Sequence, residues 1–331
     1  MKIIIFADGN NKIGMGHVYR SLILGKKLQK NGHKITYLTK EKFTKKMISK
    51  TSHCRLYQKL TEPKTKLFLK KLSPDVAILD KLSETKTNLT NIRKLCPIFT
   101  IDYTGKNKNL INFGVNILYP DSGLDVNSYS GINYAILNKK FEKIKKIRIS
   151  KHVNSILILQ GGADTHCFIP KILKSVSNLE EHVKINVVLG PSFQCWKKLD
   201  TIIKQMKNPP KIYHDVKNIS LLMRKSDLAI TAAGNTLLEL AHLGVPSLII
   251  CAEKFELETA NLLQRQGFGK NLGFGKNIKS AKIFSELIDI VNNYQLRKNM
   301  NIIGPKLVDG KGTSRIIKIL NHEIKNHVKP L

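Results

Sequence analysis

The sequence predicts an α/β protein with two domains, each built around a parallel sheet. Its 331 residues exceed the usual size of one domain, and 42% of them are hydrophobic, enough to bury a full core. Short apolar runs alternate with helix-like segments in both halves, which is typical of strands joined by crossover helices. A charged stretch at residues 141–152 has no small-residue turns and separates the halves. We therefore expect domains at residues 1–148 and 149–331.

In the first half, three of the four predicted strands end at aspartates. These strands are residues 2–8, 34–38, 75–80 and 98–102. A helix is predicted at residues 17–29. Ligands of open α/β sheets bind outside the carboxyl ends of the strands. We therefore expect Asp8, Asp80 and Asp102 to share one edge with the loop that leads to His17.

In the second half, the stretch from Ser226 to Cys251 predicts a strand, a small-residue turn, a helix and a second strand. Residues 232–234 carry no bulky side chain, Asn235 or Thr236 is expected to cap the helix, and Gly244 ends it. A helix N-terminus reached through small residues presents free N–H groups and the positive end of the dipole, which suits phosphate. An ordinary strand-to-helix turn is the alternative.

Further strands are predicted at residues 156–160, 185–189 and 211–213 of this half. The tail at residues 313–326 predicts a basic amphipathic helix that packs on the body of the protein.

The formal net charge of +32 allows a polyanionic partner. The excess is mainly lysine spread over the whole chain alongside many Asn and Ile residues, so a biased composition is the competing explanation. The lysine clusters at 40–50, 64–71 and 139–151 contain one aromatic residue each, too few for stacking bases. We expect no specific nucleic acid partner, whereas weak association with an anionic membrane surface stays open. The sequence gives no indication of the oligomeric state.

The five cysteines are odd in number, widely separated and without a C-x-x-C pair. They are Cys54, Cys96, Cys167, Cys195 and Cys251. This pattern predicts reduced, mostly buried thiols rather than disulfides or a zinc site, and we expect no metal and no cofactor. The first apolar run ends at Ala7, too short for a signal peptide, and no run approaches the roughly 18 residues of a membrane span. We therefore expect a cytoplasmic protein.

A histidine framed by glycines follows the first predicted strand, in the segment DGNNKIGMGHVYR at residues 8–20. Gly14 and Gly16 let the backbone turn tightly and approach a ligand, and His17 starts the following helix. The helix dipole disfavours an imidazolium there. We therefore expect His17 to be neutral and to act as a base, with Asp8 orienting the ring. A structural histidine is the alternative.

A second glycine pair, Gly161 and Gly162, follows a predicted strand and suits a loop close to phosphate or to the facing domain. His166, just beyond, is expected to be a helix-start residue only. Glu239 lies one turn into the helix of the 226–251 stretch, where a carboxylate is suited to accept hydrogen bonds from ribose hydroxyls. Two glycine-lined halves define a cleft between domains, a usual place for a ligand.

Five motifs, in this order and over about residues 1–275, resemble one known family. They are IGMGHVYRSLILGKKL, GINYAILNKKF, LILQGGAD, LLMRKSDLAITAAGNTLLELAHLGVPSLII and ANLLQRQGFGKNLG. The family is that of the UDP-sugar hydrolase of the pseudaminic acid pathway, which includes the spore-coat polysaccharide biosynthesis proteins. It is similar in turn to the peptidoglycan N-acetylglucosaminyltransferase. The resemblance implies two Rossmann-like domains that face each other across a cleft, a glycosyltransferase-B-like fold.

The resemblance also implies roles for individual residues. The catalytic histidine of the family's G-x-G-H motif matches His17, and the aspartate nine residues before it matches Asp8. The family binds the UDP diphosphate and ribose through a small-residue turn and a glutamate, which match Ala233, Gly234, Asn235, Thr236 and Glu239. The family's G-G-x-D loop matches Gly161, Gly162 and Asp164.

Three departures from the family pattern concern the substrate. Phe6 stands where the pathway hydrolase has an arginine. The D-x-Y after the fourth strand is Asp80-Lys81-Leu82, without the tyrosine. The sequence EKFE at residues 253–256 replaces an expected Asn-Gln. All three positions lie where the sugar or its diphosphate would be contacted.

These observations predict a nucleotide-sugar hydrolase that releases UDP from a UDP-linked amino or deoxy sugar by attack of water at the anomeric carbon. Its place would be surface-glycan or nonulosonic acid biosynthesis. A glycosyltransferase that passes the sugar to a lipid or glycan is the alternative. A non-catalytic protein that binds nucleotide sugars or nucleic acid is a further alternative, which would leave the glycine and histidine motifs without a role.

Overall fold

The structure is a computed structural model of the chain, and it describes residues 1–10, 14–119, 128–142 and 147–327. The predicted loop between Asp8 and His17 is therefore described only in part, and residues 143–146 of the predicted linker lie outside the described residues. Cα packing divides the chain into two compact units, residues 1–138 with 311–331 and residues 139–310.

The first unit contains a parallel sheet with the strand order β3-β2-β1-β4-β5-β6-β7. Its elements up to residue 130 are β1 (Lys2–Ala7), α1 (Gly16–Lys30), β2 (Lys34–Thr39), α2 (Lys42–Ile48), β3 (Cys54–Leu56), α3 (Pro63–Leu72), β4 (Val76–Asp80), α4 (Lys86–Arg93), β5 (Ile98–Ile101), β6 (Phe113–Asn116) and β7 (Ser128–Ser130). Every residue of β4 is buried, because helices cover a parallel sheet on both faces.

The second unit contains a parallel sheet with the strand order β10-β9-β8-β11-β12-β13. Its elements are α5 (Lys139–Glu142), β8 (Ser155–Leu159), α6 (Phe168–Val176), β9 (Lys184–Leu189), α7 (Trp196–Gln205), β10 (Lys211–His214), α8 (Ile219–Arg224), β11 (Leu228–Thr231), α9 (Asn235–Leu243), β12 (Ser247–Cys251), α10 (Glu256–Arg265), β13 (Lys270–Phe274), α11 (Ser280–Asn292) and α12 (Tyr294–Leu307). The chain then ends in α13 (Gly312–His327), which belongs to the first unit.

Both units show the Rossmann order of strands, in which the first six strands of each sheet run 3-2-1-4-5-6 when they are counted within the unit. The predicted α/β class with two Rossmann-like domains is confirmed. Among the described residues, no helix combines the length and the apolar character that crossing a membrane requires.

The division into units differs from the predicted domains at the C-terminus. The sequence-based division assigns the final helix to the second domain and ends the first domain at residue 148. In the structure, the Tyr129 hydroxyl donates a 2.7 Å hydrogen bond to Glu323 of α13, and Arg315 of α13 donates one of 2.8 Å to the Asn133 carbonyl. These contacts attach the last helix to the first unit. The sequence could not show this, because an amphipathic pattern identifies the buried face of a helix but not the surface against which it packs.

Close packing in the first unit is most evident where α1 crosses β2. Gly25 of α1 is buried against Tyr37, whose hydroxyl donates a 3.2 Å hydrogen bond to the Ser21 carbonyl. A Cβ atom at position 25 would overlap the hydroxyl oxygen of Tyr37.

Gly25→Ala is therefore expected to lower the free energy of unfolding by about 1–3 kcal/mol, the usual cost of overpacking a core. Denaturant unfolding followed by circular dichroism would measure the loss. Lys26→Ala, on the exposed face of the same helix, is the matched control and should change the stability by less than about 0.5 kcal/mol. Equal stability of the two variants would contradict this packing.

Candidate functional site

The predicted site residues lie at the carboxyl ends of the central strands. In each unit the strand order reverses between two neighbours, β1 and β4 in the first unit and β8 and β11 in the second. Ligands of open α/β sheets bind at these switch points, because the loops leave the sheet there in opposite directions. All the predicted site residues lie in loops or early helical turns that follow β1, β8 or β11.

The imidazole of His17 is bonded to Asp80 rather than to Asp8. Nδ1 of His17 lies 2.7 Å from Oδ1 of Asp80, the last residue of β4. Parallel pairing aligns Ala7 with Asp80, so the first turn of α1 follows β1 directly beside the end of β4. The expectation that Asp8 orients the ring is therefore corrected, although the predicted common edge of Asp80 and the His17 loop is present.

The Asp80 contact defines the tautomer of His17. An N···O distance of 2.7 Å to a carboxylate requires a proton on Nδ1, because two lone pairs would repel each other. Arg20 Nη2 also lies 3.1 Å from Nδ1, but a guanidinium only donates and cannot share that proton. In the neutral ring Nε2 is then the acceptor. The histidine has the tautomer of a general base, and its side chain is 19% exposed.

A buried arginine fixes the position of Asp80. Arg20 Nε lies 2.9 Å from both carboxylate oxygens of Asp80, and Nη2 lies 2.6 Å from Oδ1. Nη1 of the same arginine is bonded to Asp102, and the Ser21 hydroxyl donates a 2.8 Å hydrogen bond to Asp80. A rigid, multidentate contact of this kind holds a carboxylate in one orientation.

The charges in this group stabilise one another. Burial by itself would raise the pKa of Asp80, but the Arg20 charge and the hydrogen bond from His17 hold that pKa below its usual value. Burial would likewise lower the pKa of Arg20, whereas the carboxylates of Asp80 and Asp102 raise it above its usual value. Asp80 therefore stays ionised and Arg20 protonated at neutral pH.

Asp102 supports the arginine from the end of β5. Its φ of 55° is in the left-handed region, where aspartate is tolerated better than most residues. Oδ1 accepts hydrogen bonds of 2.6 and 2.9 Å from the amides of Ile117 and Leu118, which leaves Oδ2 for Arg20. Sequence reasoning assigned Arg20 no role. The available signal was its position three residues after His17, on the same face of the predicted helix.

Asp8 belongs to a second charged group beside the first. It accepts 2.8 Å hydrogen bonds from the Thr39 hydroxyl and the Lys40 amide, and it lies 2.6 Å from the ammonium of Lys81. Burial would raise the pKa of Asp8, but Lys81 and these hydrogen bonds lower it.

Lys81 belongs to one of the three departures from the family pattern and lies near Phe6, which is another. Its ammonium also lies 2.9 Å from the Tyr57 hydroxyl and 3.3 Å from Glu84. The same ammonium lies 5.9 Å from the ring centre of Phe6. A buried lysine, paired with Asp8 and Glu84, thus lies next to Phe6.

The glycines before His17 have distinct roles. Gly14 has φ 75°, a conformation that residues with a Cβ rarely adopt, and its amide donates a 2.9 Å hydrogen bond to the Asn10 carbonyl. Gly16 is the first residue of α1. Residues 11–13 of the predicted turn lie outside the described residues.

The glycine pair after β8 is packed against the loop after β9. Gly161 has φ 67°, and a Cβ at Gly190 would overlap backbone atoms of Gly162. The Ser192 amide donates a 3.1 Å hydrogen bond to the Gly162 carbonyl. Gln160, just before the pair, is buried, and neither polar atom of its amide has a hydrogen-bond partner among the residues described.

Asp164 is bonded to the start of a helix. Its carboxylate accepts hydrogen bonds of 2.7 and 2.9 Å from the amides of Phe168 and Ile169, at the start of α6. Burial raises the pKa of Asp164 although these amides oppose the shift. The nucleotide-binding role of Asp164 stays a prediction.

One pair of cysteines corrects the expectation of reduced thiols. Cys167 and Cys195 form a disulfide between the loops after β8 and β9, with their Cα atoms 5.7 Å apart. The 28-residue separation gave no sign of this pairing, since only the packing of the two loops brings the residues together. Cys54, Cys96 and Cys251 are free and buried.

The small-residue turn after β11 leads directly into α9. Gly234 is the N-cap of α9, so the helix begins at Asn235, and neither Asn235 nor Thr236 caps it through a side chain. Ala232 and Ala233 are buried, and Gly234 is half-buried. Glu239 lies in the second turn of this helix, where burial raises the pKa of its carboxyl to about 8.

Glu256 lies against this turn and was not identified as a site residue from the sequence. Its Oε2 accepts a hydrogen bond of 2.6 Å from the Ala252 amide and one of 3.4 Å from the Ala233 amide. Nearby, Glu253 lies 3.1 Å from Nε2 of His166 and accepts a 3.2 Å hydrogen bond from the Thr165 hydroxyl. His166 thus joins two loops, whereas α6 begins only at Phe168.

The chain is similar to known proteins over most of its length. Residues 155–302 match the glycosyltransferase family 28 C-terminal domain. An uncharacterized protein of Methanocaldococcus jannaschii is 32% identical over 281 residues, which are 78% of this chain, and the chain spans only 57% of that relative's length. The spore coat polysaccharide biosynthesis protein SpsG of Bacillus subtilis is 26% identical over 97% of this chain and 98% of its own.

Two further matches connect the chain to an enzyme and to a fold. The UDP-2,4-diacetamido-2,4,6-trideoxy-beta-L-altropyranose hydrolase of Campylobacter jejuni is 25% identical over 81% of this chain and 98% of its own. The crystal structure of Acinetobacter baumannii MurG has a TM-score of 0.68 at 15% identity, covering 97% of this chain and 99% of its own. The chain is thus a homologue of SpsG and of the altropyranose hydrolase, with a glycosyltransferase family 28 C-terminal domain in a MurG-like GT-B fold.

Proposed function

We propose that this protein is a nucleotide-sugar hydrolase, which releases UDP from a UDP-linked amino or deoxy sugar in the biosynthesis of surface glycans or nonulosonic acids. The observation that carries the proposal is the His17–Asp80 pair, which leaves Nε2 of a half-buried imidazole as a proton acceptor at a switch point of the sheet. The name of the Campylobacter jejuni relative supports the same reaction class. The reaction would take place in the cytoplasm.

In this mechanism Nε2 of His17 takes a proton from water while the water oxygen bonds to the anomeric carbon. The bond between that carbon and the phosphate oxygen breaks, and UDP leaves with the electron pair. Asp80 keeps Nδ1 protonated and stabilises the imidazolium that forms, much as the carboxylate does in a hydrolytic triad. Arg20 and Asp102 act as positioning residues, because they contact Asp80 rather than the reacting atoms.

The second unit would bind the nucleotide. The amides of Gly234, Asn235 and Thr236 at the positive end of α9 suit the diphosphate, and Gly161 and Gly162 leave room for its approach. Charge that develops on the leaving diphosphate is stabilised by such preorganised donors. The Glu239 carboxyl would bind the ribose hydroxyls.

A glycosyltransferase is the second candidate. Its support is the fold, since the matched domain is named for glycosyltransferase family 28 and MurG shares the architecture. In this case an acceptor hydroxyl takes the place of water, and the basic surface would bind an anionic membrane that carries a lipid acceptor. Release of free sugar in the absence of any acceptor separates the two reactions.

His17→Asn should lower turnover by about 10²- to 10⁴-fold, the usual effect of losing a general base, with UDP binding unchanged. The measurement is release of free labelled sugar from a UDP-sugar series without an acceptor, together with calorimetric titration of UDP. Unchanged turnover in the variant would remove His17 from the mechanism. Turnover of the wild type only when an acceptor is added would favour the transferase.

Asp80→Asn should lower turnover more than Asp8→Asn does, since Asp80 is bonded to the imidazole whereas Asp8 is bonded to Thr39, Lys40 and Lys81. The amide cannot hold the Nδ1–H tautomer as a carboxylate does, and the variant should also lose stability because Arg20 keeps a single carboxylate partner. Single-turnover rates and unfolding curves of both variants, recorded under the same conditions, would test this order. A larger rate loss in Asp8→Asn would return the ring-orienting role to Asp8.

Glu239→Ala should weaken UDP binding without a comparable change in the rate of the bound substrate, because the ribose is distant from the reacting carbon. Titration calorimetry with UDP would measure the loss, and ribose 5-phosphate, which lacks the base, would probe the ribose contact. Glu258→Ala, in the first turn of α10, is a control at another carboxyl of the same unit. Wild-type UDP affinity in the Glu239 variant would exclude the ribose role.

A further inference from the structure

Glu256 places a carboxylate where a ligand phosphate would bind. Three backbone amides point at one oxygen, Oε2, with N···O distances of 2.6 Å for Ala252 and 3.4 Å for both Ala233 and Glu253. Several N–H groups that converge on one oxygen form the arrangement that proteins use to bind anions. In this structure the anion is a side chain of the protein itself.

The position of Ala233 connects this arrangement to the proposed nucleotide site. Ala233 lies in the turn between β11 and α9, one residue before the N-cap Gly234. A Cβ placed on Gly234 would lie 3.7 Å from Oε1 of Glu256, so the carboxylate is in van der Waals range of the turn. A diphosphate bound to the amides at the start of α9 would therefore lie next to the Glu256 oxygens.

We propose that the Glu256 carboxyl competes with the ligand diphosphate for the turn before α9, so that diphosphate binding requires this carboxyl to take up a proton. The inference rests on the proposed function, because it assumes that this turn binds the diphosphate. Two anions at one set of amides repel each other, whereas a protonated carboxyl donates a hydrogen bond to a phosphate oxygen. Glu256 thereby determines the pH range in which the nucleotide binds.

The charged groups around Glu256 are consistent with this role. Two titratable groups interact with the Glu256 carboxyl, Glu253 on its own loop and Cys251 at the end of β12. Glu253 in turn lies 3.1 Å from Nε2 of His166. The Glu256 carboxylate accepts hydrogen bonds from the backbone amides of Ala233, Ala252 and Glu253.

The direction of the pH effect follows from this environment. Burial raises the pKa of Glu256 to about 7, because the three amides offset only part of the lost hydration and Glu253 raises the pKa further. Below pH 7 the carboxyl is mostly neutral and the diphosphate binds without a proton change. Above pH 7 the carboxyl is ionised, and each bound ligand must bring a proton with it.

The test is titration calorimetry with UDP methylated on its β-phosphate, a probe whose phosphates do not titrate near neutral pH. Titrations in HEPES and in Tris at the same pH give the number of protons taken up per ligand. For the wild type we expect uptake to rise from near zero at pH 6 toward one proton at pH 8. The affinity should then fall by up to about tenfold per pH unit above pH 7.

Glu256→Gln should remove this proton uptake and bind the probe at pH 8 at least as tightly as the wild type. Glu181→Gln is the control, because it removes an exposed carboxyl of the same unit that has no assigned role, and it should keep the uptake. Two results would overturn this inference but not the proposed function. One is proton uptake that persists in Glu256→Gln, and the other is binding by the wild type at pH 8 without proton uptake. The wild-type measurement decides the point even where the variant does not fold. Absence of probe binding by the wild type at pH 6 and pH 8 would overturn the proposed function together with the inference.

Discussion

The ion pair between Arg20 and Asp80 is the interaction on which the first unit's site depends. The guanidinium is buried between the ends of β4 and β5, and it contacts Asp80 and Asp102 at once. Removing one partner from a buried pair leaves an uncompensated charge, which usually costs about 3–5 kcal/mol. The same pair fixes the carboxylate that holds the His17 ring. Stability and the proton-acceptor state of Nε2 therefore rest on one set of contacts.

Acidic residues lie in the loops and early helical turns that follow β8, β11 and β12 of the second unit, although the chain has a net charge of +32. The structure reduces this negative charge in different ways. Asp164 is bonded to two helix amides, and Glu253 is adjacent to His166. Burial raises the pKa values of Glu239 and Glu256 to about 8 and about 7. The negative charge in this part of the second unit is thus reduced by burial, by hydrogen bonds and by an ion pair within the protein.

The loops after β8 and β9 behave as one structural element. The close approach of Gly190 to Gly162, the Ser192 hydrogen bond and the Cys167–Cys195 disulfide all join them. A loop held in this way loses little conformational entropy if it binds a ligand, as proposed for Gly161 and Gly162, which favours affinity without adding a contact. The glycines in this region serve the packing of one loop on the other.

The sequence by itself determined the α/β class, the parallel strands and the loops that carry the candidate site, because hydrophobic periodicity and glycine positions are local properties of the chain. It also placed Asp80 and Asp102 at the same edge as the His17 loop, since the carboxyl ends of parallel strands lie together. The partner of His17 was decided only by the tertiary structure. Asp8 is near in sequence, but strand pairing brings Asp80 to the ring and Lys81 to Asp8.

The other differences between the sequence-based predictions and the structure have the same cause, contacts between residues that are far apart in the chain. The disulfide joins residues 28 positions apart, α13 packs on the first unit, and Glu256 contacts Ala233 across 23 positions. Each depends on which loops become neighbours when the sheet order 3-2-1-4-5-6 forms, and no local pattern encodes that proximity. The sequence determined which residue types lie in the site loops, and the packing of strands and loops decided which of these residues touch. Contact energies act over only a few ångströms, and the separation of two residues along the chain does not determine their distance in space.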